Sequence, residues 1–367
     1  MSEILLYSLT GLYALVILTF TVGVMKTHRR KGTAKPSVSV VVPMRNEEMF
    51  AARTLEALAA QSYDGEWEVI CVDDRSTDST GKILDGFAAA HPERFSVLHL
   101  SADLPAIASP KKRALESGFK VAKNEVLLIM DADCTPSPKW LSAMAGRFEG
   151  NISIVQGPKR NNGGKSPIHL YQKLETLAYT SIEAAGFSLG RPMLASAACL
   201  AYKRELFFKV GGFGDLVNLS SGDDDMLVHK MIKVPGTEFC YNLNADAMID
   251  TAPVDTLKAL IFQRARWASN GTHYDSVLYI LMLALIYTFL VWLFFSPFLV
   301  LFCEFPPEWF LIPLGIKILV DTVFLTTAAV KLEAKQLLFA LPITEIIQVP
   351  MIVFAVPIGL LGLFKWK

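Results

Sequence analysis

The chain has 367 residues, of which 52% are hydrophobic and 19% are charged, and its mean hydropathy is +0.37. This composition is too apolar for an ordinary soluble domain and too charged for a pure membrane bundle, so a mixed protein is expected. The 35 basic and 35 acidic residues cancel, which argues against a nucleic-acid-binding protein with a broad basic surface. The five cysteines form no C-x-x-C pair, so neither a zinc site nor a disulfide framework is predicted, and a reducing compartment fits best.

The first apolar segment lies at the N-terminus. Residues 4–25 carry no charge and are long enough, at about 1.5 Å per residue, to cross a hydrocarbon core of roughly 30 Å as a helix. Residues 1–27 are therefore predicted to be a transmembrane anchor. A signal peptide is the alternative, but the apolar run is long and its basic cluster, residues 28–31, follows it.

Three further apolar runs close the chain, at about 277–303, 309–330 and 337–364. The last contains Glu345 and three prolines, so we predict four spans in all, with three spans and a re-entrant segment as the alternative. The loop CEFPPEW lacks Lys and Arg, whereas the loop KLEAKQ carries two lysines. The positive-inside rule then predicts a multi-pass protein of the plasma or inner membrane whose middle region is cytoplasmic.

In the middle region of the sequence, short apolar runs alternate with helix-like stretches. VSVVVPM (38–44) and EVLLIMDAD (125–133) are typical of buried strands. Alternating strands and helices predict an α/β fold with a mostly parallel sheet flanked by helices. Ligands of such sheets bind outside the carboxyl ends of the strands, which is where Asp73, Asp74, Asp131 and Asp133 are predicted to lie.

These carboxylates indicate a metal and a phosphorylated ligand. Asp131 and Asp133 lie two residues apart, and Mg²⁺ or Mn²⁺ takes hard oxygen ligands while leaving positions for substrate phosphates. Taken alone the D-x-D pattern is weak, because Asp is common in turns and helix caps. No G-x-G-x-x-G or G-x-x-x-x-G-K-[ST] occurs in the sequence, so neither a dinucleotide fingerprint nor a P-loop is predicted.

Two further motifs follow. SSGDDDMLVHK (220–230) gathers three aspartates, which either favour a helix N-terminus or include a general base. FQRARWASNG (262–271) precedes the second apolar run. It is either an interfacial anchor or, in the functional interpretation, a clamp in which Arg266 holds a diphosphate and Trp267 packs on a sugar or acceptor.

In order, VSVVVPMRNEE, VDDRSTDST, KKRAL, DADC, SGDDDM and QRARW resemble the motifs of family 2 inverting glycosyltransferases of GT-A fold. The closest resemblance is to membrane-integrated members such as hyaluronan, chitin and cellulose synthases and ceramide glucosyltransferase. It implies a cytoplasmic GT-A catalytic domain over 36–250, an interfacial helix with the Q-x-x-R-W motif over 251–275, and a C-terminal transmembrane region over 276–367.

The resemblance also implies a nucleotide-binding set. The second Asp of the VDD motif, Asp74, would recognise the nucleotide base, with Pro43 and Glu47 lining the same pocket. Lys111 falls where the family places a basic residue near the nucleotide. Asp131 would contact the ribose or the donor sugar.

For the reaction itself, the resemblance implies that Asp133 is the ligand of Mg²⁺ or Mn²⁺. The final Asp of the family's G-E-D or T-E-D motif is the base; aligned on Gly222, that residue is Asp224. Asp223 stands where the family has Glu, and Asp225 follows, so the register is open by one residue. Gln263, Arg266 and Trp267 match Q-x-x-R-W.

The predicted activity is the transfer of a sugar from a nucleotide-sugar donor, expected to be a UDP-sugar, to a lipid-linked or membrane-proximal acceptor. A processive polysaccharide synthase is the alternative within the family. Two alternatives lie outside the family. One is a non-catalytic nucleotide-sugar-binding or export partner. The other is a small transporter, which would carry ionisable groups such as Asp321 and Glu345 within its membrane spans.

Overall fold

The computed structural model describes residues 3–101, 103 and 107–364. The chain forms two compact units, each built from discontinuous segments. The sheet unit comprises Thr27–Asn162 and Gly186–Ala252. The helical unit comprises Met1–Lys26, Gly163–Ala185 and Pro253–Lys367. Residues 163–185, which the sequence prediction places inside the catalytic domain, thus belong with the helices near the two ends of the chain.

The sheet unit contains the strands, numbered in chain order. They are β1 (Val38–Met44), β2 (Trp67–Asp73), β3 (Phe95–His99), β4 (Val126–Ile129), β5 (Cys134–Pro136), β6 (Ile152–Gln156), β7 (Lys159–Asn161), β8 (Leu200–Lys203), β9 (Glu238–Tyr241) and β10 (Ile249–Thr251). Helices α1 to α12 are likewise numbered along the whole chain. Those of the sheet unit are α2 (Glu48–Ala59), α3 (Thr80–Ala90), α4 (Pro110–Val121), α5 (Trp140–Ala145), α7 (Arg204–Lys209) and α8 (Asp225–Met231).

The main sheet has seven strands in the order β3-β2-β1-β4-β8-β6-β9, and β5, β10 and β7 form a smaller sheet. The pairs among β1, β2, β3 and β4 are parallel, β8 runs antiparallel to both β4 and β6, and β9 is parallel to β6. The chain moves outward from β1 to β3 and returns to β4 on the other side of β1. The strand order therefore reverses between β1 and β4, where an α/β sheet opens a ligand crevice.

The central strands explain the apolar runs in the sequence. Val38, Val40, Val41 and Val42 of β1 are fully buried, as is all of β4. Continuous rather than alternating hydrophobicity is what a parallel strand covered on both faces requires. This confirms the predicted α/β architecture, with β8 as the antiparallel strand of the main sheet.

Six α-helices of the described residues belong to the helical unit. They are α1 (Glu3–Lys26), α6 (Pro167–Ser188, whose last three residues belong to the sheet unit), α9 (Leu257–Ala268), α10 (Val277–Phe302), α11 (Glu308–Lys331) and α12 (Leu341–Leu360). Four segments of the described chain are long and apolar enough to cross a membrane: α1, α10, α11 and Lys335–Leu360, which ends in α12. Their bounds agree with the four predicted runs.

A buried polar network joins three of these helices. The Lys317 ammonium is fully buried and donates to Asp321 Oδ2 at 2.8 Å, Glu345 Oε2 at 2.5 Å and Gln348 Oε1 at 2.8 Å. Tyr13 donates its hydroxyl to Asp321 Oδ1 at 2.8 Å. The network thus connects α1, α11 and α12, and it compensates the buried charges that would otherwise be costly in an apolar surrounding.

Close packing of α12 on α9 depends on Gly359. A Cβ at this position would overlap the backbone carbonyl oxygen of Ala265 and lie 3.1 Å from the amide nitrogen of Ser269. Backbone atoms cannot move aside as a flexible side chain can. We therefore expect Gly359→Ala to separate the two helices.

The expected result for Gly359→Ala is a loss of about 1–3 kcal/mol of stability through overpacking, measured as a lower thermal midpoint in detergent. Gly315→Ala in α11 is the matched control, because a Cβ at Gly315 meets nothing within 4 Å and Ala is the better helix former. Equal midpoints for the two variants would contradict the proposed close contact.

Candidate active site

Hydrogen bonds within the turns that follow β1 and β2 hold the carboxyl ends of these two strands together. The Asp74 amide donates to the Met44 carbonyl at 2.8 Å, and the Asn46 side chain accepts from the Thr77 amide at 2.8 Å. Asn46 and Arg75 both have positive φ, at 54° and 59°, a conformation that is uncommon for residues other than glycine. Such backbone strain is tolerated where surrounding contacts fix it, and it clusters at functional sites.

The two aspartates of the VDD motif have different partners. Asp73 accepts from the Ser76 amide at 3.1 Å and contacts His99 Nδ1 at 2.9 Å. Hydrogen bonds to Asp85 and then Asp73 raise the pKa of His99. Asp74 is buried and pairs with Arg75 Nε at 2.8 Å, with the Arg113 guanidinium 3.6 Å away. Asp73 is therefore a structural carboxylate, while Asp74 lies in a cationic environment beside the crevice.

Of the other residues predicted for the nucleotide pocket, Pro43 is the penultimate residue of β1 and Glu47 caps the start of α2. The Glu47 amide donates to the Thr80 hydroxyl at 2.8 Å. Because β1 and β2 are adjacent and parallel, their carboxyl ends bring Pro43 and Glu47 to the same edge of the sheet as Asp74.

The D-x-D carboxylates follow β4 at the neighbouring strand end. One ligand atom from each of Asp131, Asp133 and Cys134 lies within 4.8 Å of the other two. Burial, followed by the charge of Asp131, raises the pKa of Asp133 to about 6. Burial and the Asp133 and Asp131 charges raise the pKa of the Cys134 thiol well above its usual value. The oxygen pair fits a hard divalent cation, whereas the protonated thiol does not.

Lys111 connects this pair to the acidic motif downstream. Its ammonium lies 2.7 Å from Asp131 Oδ1 and 2.7 Å from Asp223 Oδ2. Burial alone would lower the pKa of Lys111, but the two carboxylates outweigh it and the pKa is raised. Lys111 is therefore a permanent cation that holds the end of β4 and the loop before α8 together.

The acidic motif forms the entry to α8. Gly222 has φ of 87°, which requires glycine, and it turns the chain so that Asp224 becomes the N-cap. Asp224 accepts from the Asp225 amide at 2.9 Å and from the Ala197 amide at 3.2 Å. Burial, then the charges of Asp223 and Asp225, raise the pKa of Asp224 to about 7.

Lys112 is the residue that sequence reasoning missed. It is fully buried, and its ammonium donates to the carbonyls of Leu216 at 2.5 Å, Leu219 at 2.9 Å and Ser221 at 2.5 Å. Burial lowers the pKa of Lys112 to about 8, against the charges of the nearby aspartates. Lys112 thereby fixes the segment that leads to Gly222. The adjacent lysines of KKRAL were the signal, but the sequence alone does not tell which one faces the interior.

The Q-x-x-R-W motif lies on α9 in the helical unit. α9 begins at a Thr256 cap, whose hydroxyl accepts from the Ala259 amide at 3.2 Å. Trp267 is 37% exposed, and its ring and that of Tyr179 on α6 form a T-shaped pair with the centroids 5.7 Å apart. Gln263, Arg266 and Trp267 therefore share one short helix, Leu257–Ala268, inside the segment 251–275, and Arg264 between them is buried.

These observations define a GT-A-like α/β fold: a mixed sheet flanked by helices, with carboxylates at the ends of β2 and β4. A solved structure covers nearly the whole chain. It is the mannosyltransferase PcManGT from Pyrobaculum calidifontis in complex with GDP-Man and Mn²⁺. The alignment covers 97% of this chain and 96% of that chain, with a TM-score of 0.59 at 19% sequence identity.

Residues 39–211 match the family model of glycosyl transferase family 2, and the chain carries a domain of that family. Among curated relatives, the probable glycosyltransferase YdaM of Bacillus subtilis is 26% identical over 251 residues, which are 65% of this chain and 56% of the relative. An N-acetylglucosaminyltransferase of Rhizobium meliloti is also 26% identical, over 64% of this chain and 55% of its own. The chain spans about half the length of these relatives.

Lys112→Met is expected to destabilise the fold and release the 216–222 segment, because three carbonyls lose a charged donor. We expect a loss of about 3 kcal/mol, measured by chemical unfolding, and faster amide exchange in that segment. Lys120→Met on the same helix is the control, since Lys120 is 63% exposed and pairs only with Glu116 among its described ion pairs. Unchanged exchange in Lys112→Met would show that the contacts do not hold the loop.

Proposed function

We propose that the protein is a membrane-bound inverting glycosyltransferase that moves a sugar from a nucleotide-sugar donor to a lipid-linked or membrane-proximal acceptor. The observation that carries the proposal is the double ion pair of Lys111 with Asp131 and Asp223. It brings the carboxylates suited to a metal and the loop suited to supply a base into one part of the sheet unit.

Asp133, with Asp131 beside it, is the proposed holder of Mg²⁺ or Mn²⁺. Burial, followed by the charge of Asp131, raises the pKa of Asp133, and a divalent cation would stabilise the ionised carboxylate. When bound, the ion would neutralise part of the charge on the donor's diphosphate. Asp74, with Pro43 and Glu47 at the neighbouring strand ends, is the proposed nucleotide-recognition set.

Asp224 is the proposed general base. Asp223 is paired with Lys111 at 2.7 Å, and Asp225 accepts from the Met226 amide at 2.7 Å. Asp224 has a pKa near 7, which suits a base that works at neutral pH. In a single displacement, the Asp224 carboxylate removes the proton of the acceptor group, which is a hydroxyl or a monoprotonated phosphate. The acceptor oxygen then bonds to the anomeric carbon while the bond from that carbon to the nucleoside diphosphate breaks, and the diphosphate leaves from the opposite face.

The helical unit is proposed to carry the acceptor side and the membrane anchor. By the family resemblance, Arg266 would hold the leaving diphosphate and Trp267 would pack on the sugar or acceptor, with Gln263 in the same motif. Four helices of membrane-spanning length and the basic residues 28–31 support a membrane location with a cytoplasmic sheet unit.

The acceptor class is supported by the names of two shorter matches. A dodecaprenyl-phosphate galacturonate synthase of Rhizobium johnstonii is 28% identical over 36% of this chain and 39% of its own, and an undecaprenyl-phosphate 4-deoxy-4-formamido-L-arabinose transferase of Proteus mirabilis is 27% identical over 34% and 37%. Both names specify a polyprenyl phosphate, which favours a lipid acceptor for this chain.

The test incubates the detergent-solubilised protein with a panel of UDP- and GDP-sugars, Mn²⁺ or Mg²⁺ and a polyprenyl phosphate, and measures nucleoside diphosphate release and product size. Release with a small organic-soluble product is the expected result. A large aqueous product would make the protein a polysaccharide synthase. No release above a protein-free control with any donor would overturn the proposal.

Asp133→Asn is expected to abolish metal-dependent donor binding. The amide keeps the shape of the side chain but removes the charge that a divalent cation needs. Calorimetric titration of the donor with and without Mn²⁺ measures the effect: wild type should bind at least about 10-fold more tightly with the ion, and the variant should show no difference. An unchanged metal effect in Asp133→Asn would remove Asp133 from the metal site.

Asp224→Asn is expected to leave donor binding intact and reduce transfer by about 100-fold or more. Wild-type transfer should fall as the pH drops below about 7, because only the deprotonated carboxylate accepts a proton. If Asp223→Asn or Asp225→Asn lost transfer while Asp224→Asn kept it, the base would be one residue away.

Stability distinguishes this loss from misfolding. Because its pKa is raised, the fold favours protonated Asp224, and that contribution to stability is lost as the pH rises from the unfolded-chain pKa through 7. Asn imitates the protonated form and remains a good N-cap. Above pH 7 the thermal midpoint of Asp224→Asn should therefore equal or exceed that of wild type.

A further inference from the structure

Arg264, the residue between the motif positions of α9, is buried and makes several polar contacts. Arg264 is 7% exposed. Its Nε lies 2.9 and 3.0 Å from the two carboxylate oxygens of Glu175 on α6, and its Nη2 also donates to Glu175. Glu175 in turn accepts from the Tyr171 hydroxyl at 2.9 Å. This is a buried, forked ion pair that fixes the plane of the guanidinium.

The same guanidinium also contacts two of the motif residues: Gln263 through Nη1, and Trp267 through its planar face. Arg264 Nη1 donates to Gln263 Oε1, and the guanidinium carbon lies 4.3 Å from the centre of the Trp267 ring. Tyr179 meets Trp267 edge-on, with an interplanar angle of 89°. Trp267 is thus held between a cation and an aromatic ring while 37% of it stays accessible.

We propose that Arg264 is a positioning residue for the Q-x-x-R-W motif: anchored by Glu175, it orients the Trp267 ring and the Gln263 amide for the acceptor. This inference rests on the proposed transfer function for its kinetic consequences. Its structural content stands on the geometry alone. Arg is required because a lysine ammonium has neither the planar face for Trp267 nor the fork for a carboxylate.

Three residues of α6 are spaced so that they can support Arg264 and Trp267 together. Tyr171, Glu175 and Tyr179 follow one another at intervals of four residues, so they share one face of the helix. Burial, together with the charge of Glu175, raises the pKa of both tyrosines, so their hydroxyls stay protonated and neutral. One face of α6 therefore supplies the hydrogen-bond donor to Glu175, the carboxylate that orients Arg264 and the ring that meets Trp267.

The first experiment observes Trp267 directly. The chain has six tryptophans; in protein labelled with 5-fluorotryptophan, the ¹⁹F resonance absent from Trp267→Phe identifies position 267. Arg264→Lys and Glu175→Gln are each expected to shift or broaden this resonance and leave the others in place. Lys258→Met is the matched control, because Lys258 makes a cation–π contact with Phe262 at 5.7 Å on the same helix.

The second experiment measures transfer. Arg264→Lys should reduce transfer at least about 10-fold with donor affinity within about 3-fold of wild type. In a Trp267→Ala background the same substitution should have a smaller effect than in wild type, since one of its two targets, the Trp267 ring, is gone. If Arg264→Lys does not fold, the pair Arg264→Met with Glu175→Met, which removes both buried charges together, takes its place in both experiments.

The outcomes separate the two proposals. An unmoved Trp267 resonance in Arg264→Lys, or equal effects of Arg264→Lys with and without Trp267, would overturn the positioning role. A moved resonance with no transfer by wild type would leave the positioning of Trp267 supported and overturn the transferase function instead.

Discussion

The sheet unit depends on one shared cation. Lys111, in the first turn of α4, lies between Asp131 after β4 and Asp223 before α8, at 2.7 Å from each. These three segments are far apart in sequence, and two of them are loops that carry like charges. Without this ammonium, Asp131 and Asp223 would both lose the cation that they share. The ion pair therefore makes a dense acidic site compatible with a folded domain.

The helical unit uses the same principle twice. Lys317 is surrounded by Asp321, Glu345 and Gln348, and Arg264 by Glu175 and Gln263. Breaking either pair by removing one partner would leave an uncompensated buried charge, at a cost of about 3–5 kcal/mol. Mutual compensation of Lys317 and Asp321, which the sequence spacing of four residues suggests, weakens the transporter interpretation, because the acidic groups are already satisfied by a cation of the chain.

Much of the fold follows from local sequence. The continuous apolar runs of β1 and β4 predict buried parallel strands, and the four apolar segments are found as helices within a few residues of their predicted ends. The antiparallel strand β8 was not predicted, since the sequence LAYK has no feature that fixes strand direction. Residues 163–185 were also grouped differently, because membership of a compact unit depends on long-range packing that no local pattern encodes.

The residues of the candidate site likewise fall into two groups, those that could be predicted from the sequence and those that could not. Asp131, Asp133 and the acidic triplet could be located from their motifs, since they follow a strand or begin a helix. Lys112, Glu175 and Arg264 could not: each is a charged residue that a sequence pattern places at the surface, and only tertiary contacts show that it is buried and paired. The motifs thus identify groups that are proposed to contact the substrate, whereas they assign no role to Lys112, Glu175 and Arg264, which hold such groups in place.

This division has a physical reason. A group that stabilises a transition state must be held in its final orientation before the reaction begins, because reorganisation during the reaction would consume the stabilisation it provides. An exposed Trp267 or a loop of three aspartates has no such rigidity by itself. In this chain, a buried Lys112 bonded to three carbonyls and a buried Arg264 bonded to a carboxylate supply it. We therefore expect the chemistry to depend on these two cations although neither is proposed to touch the donor.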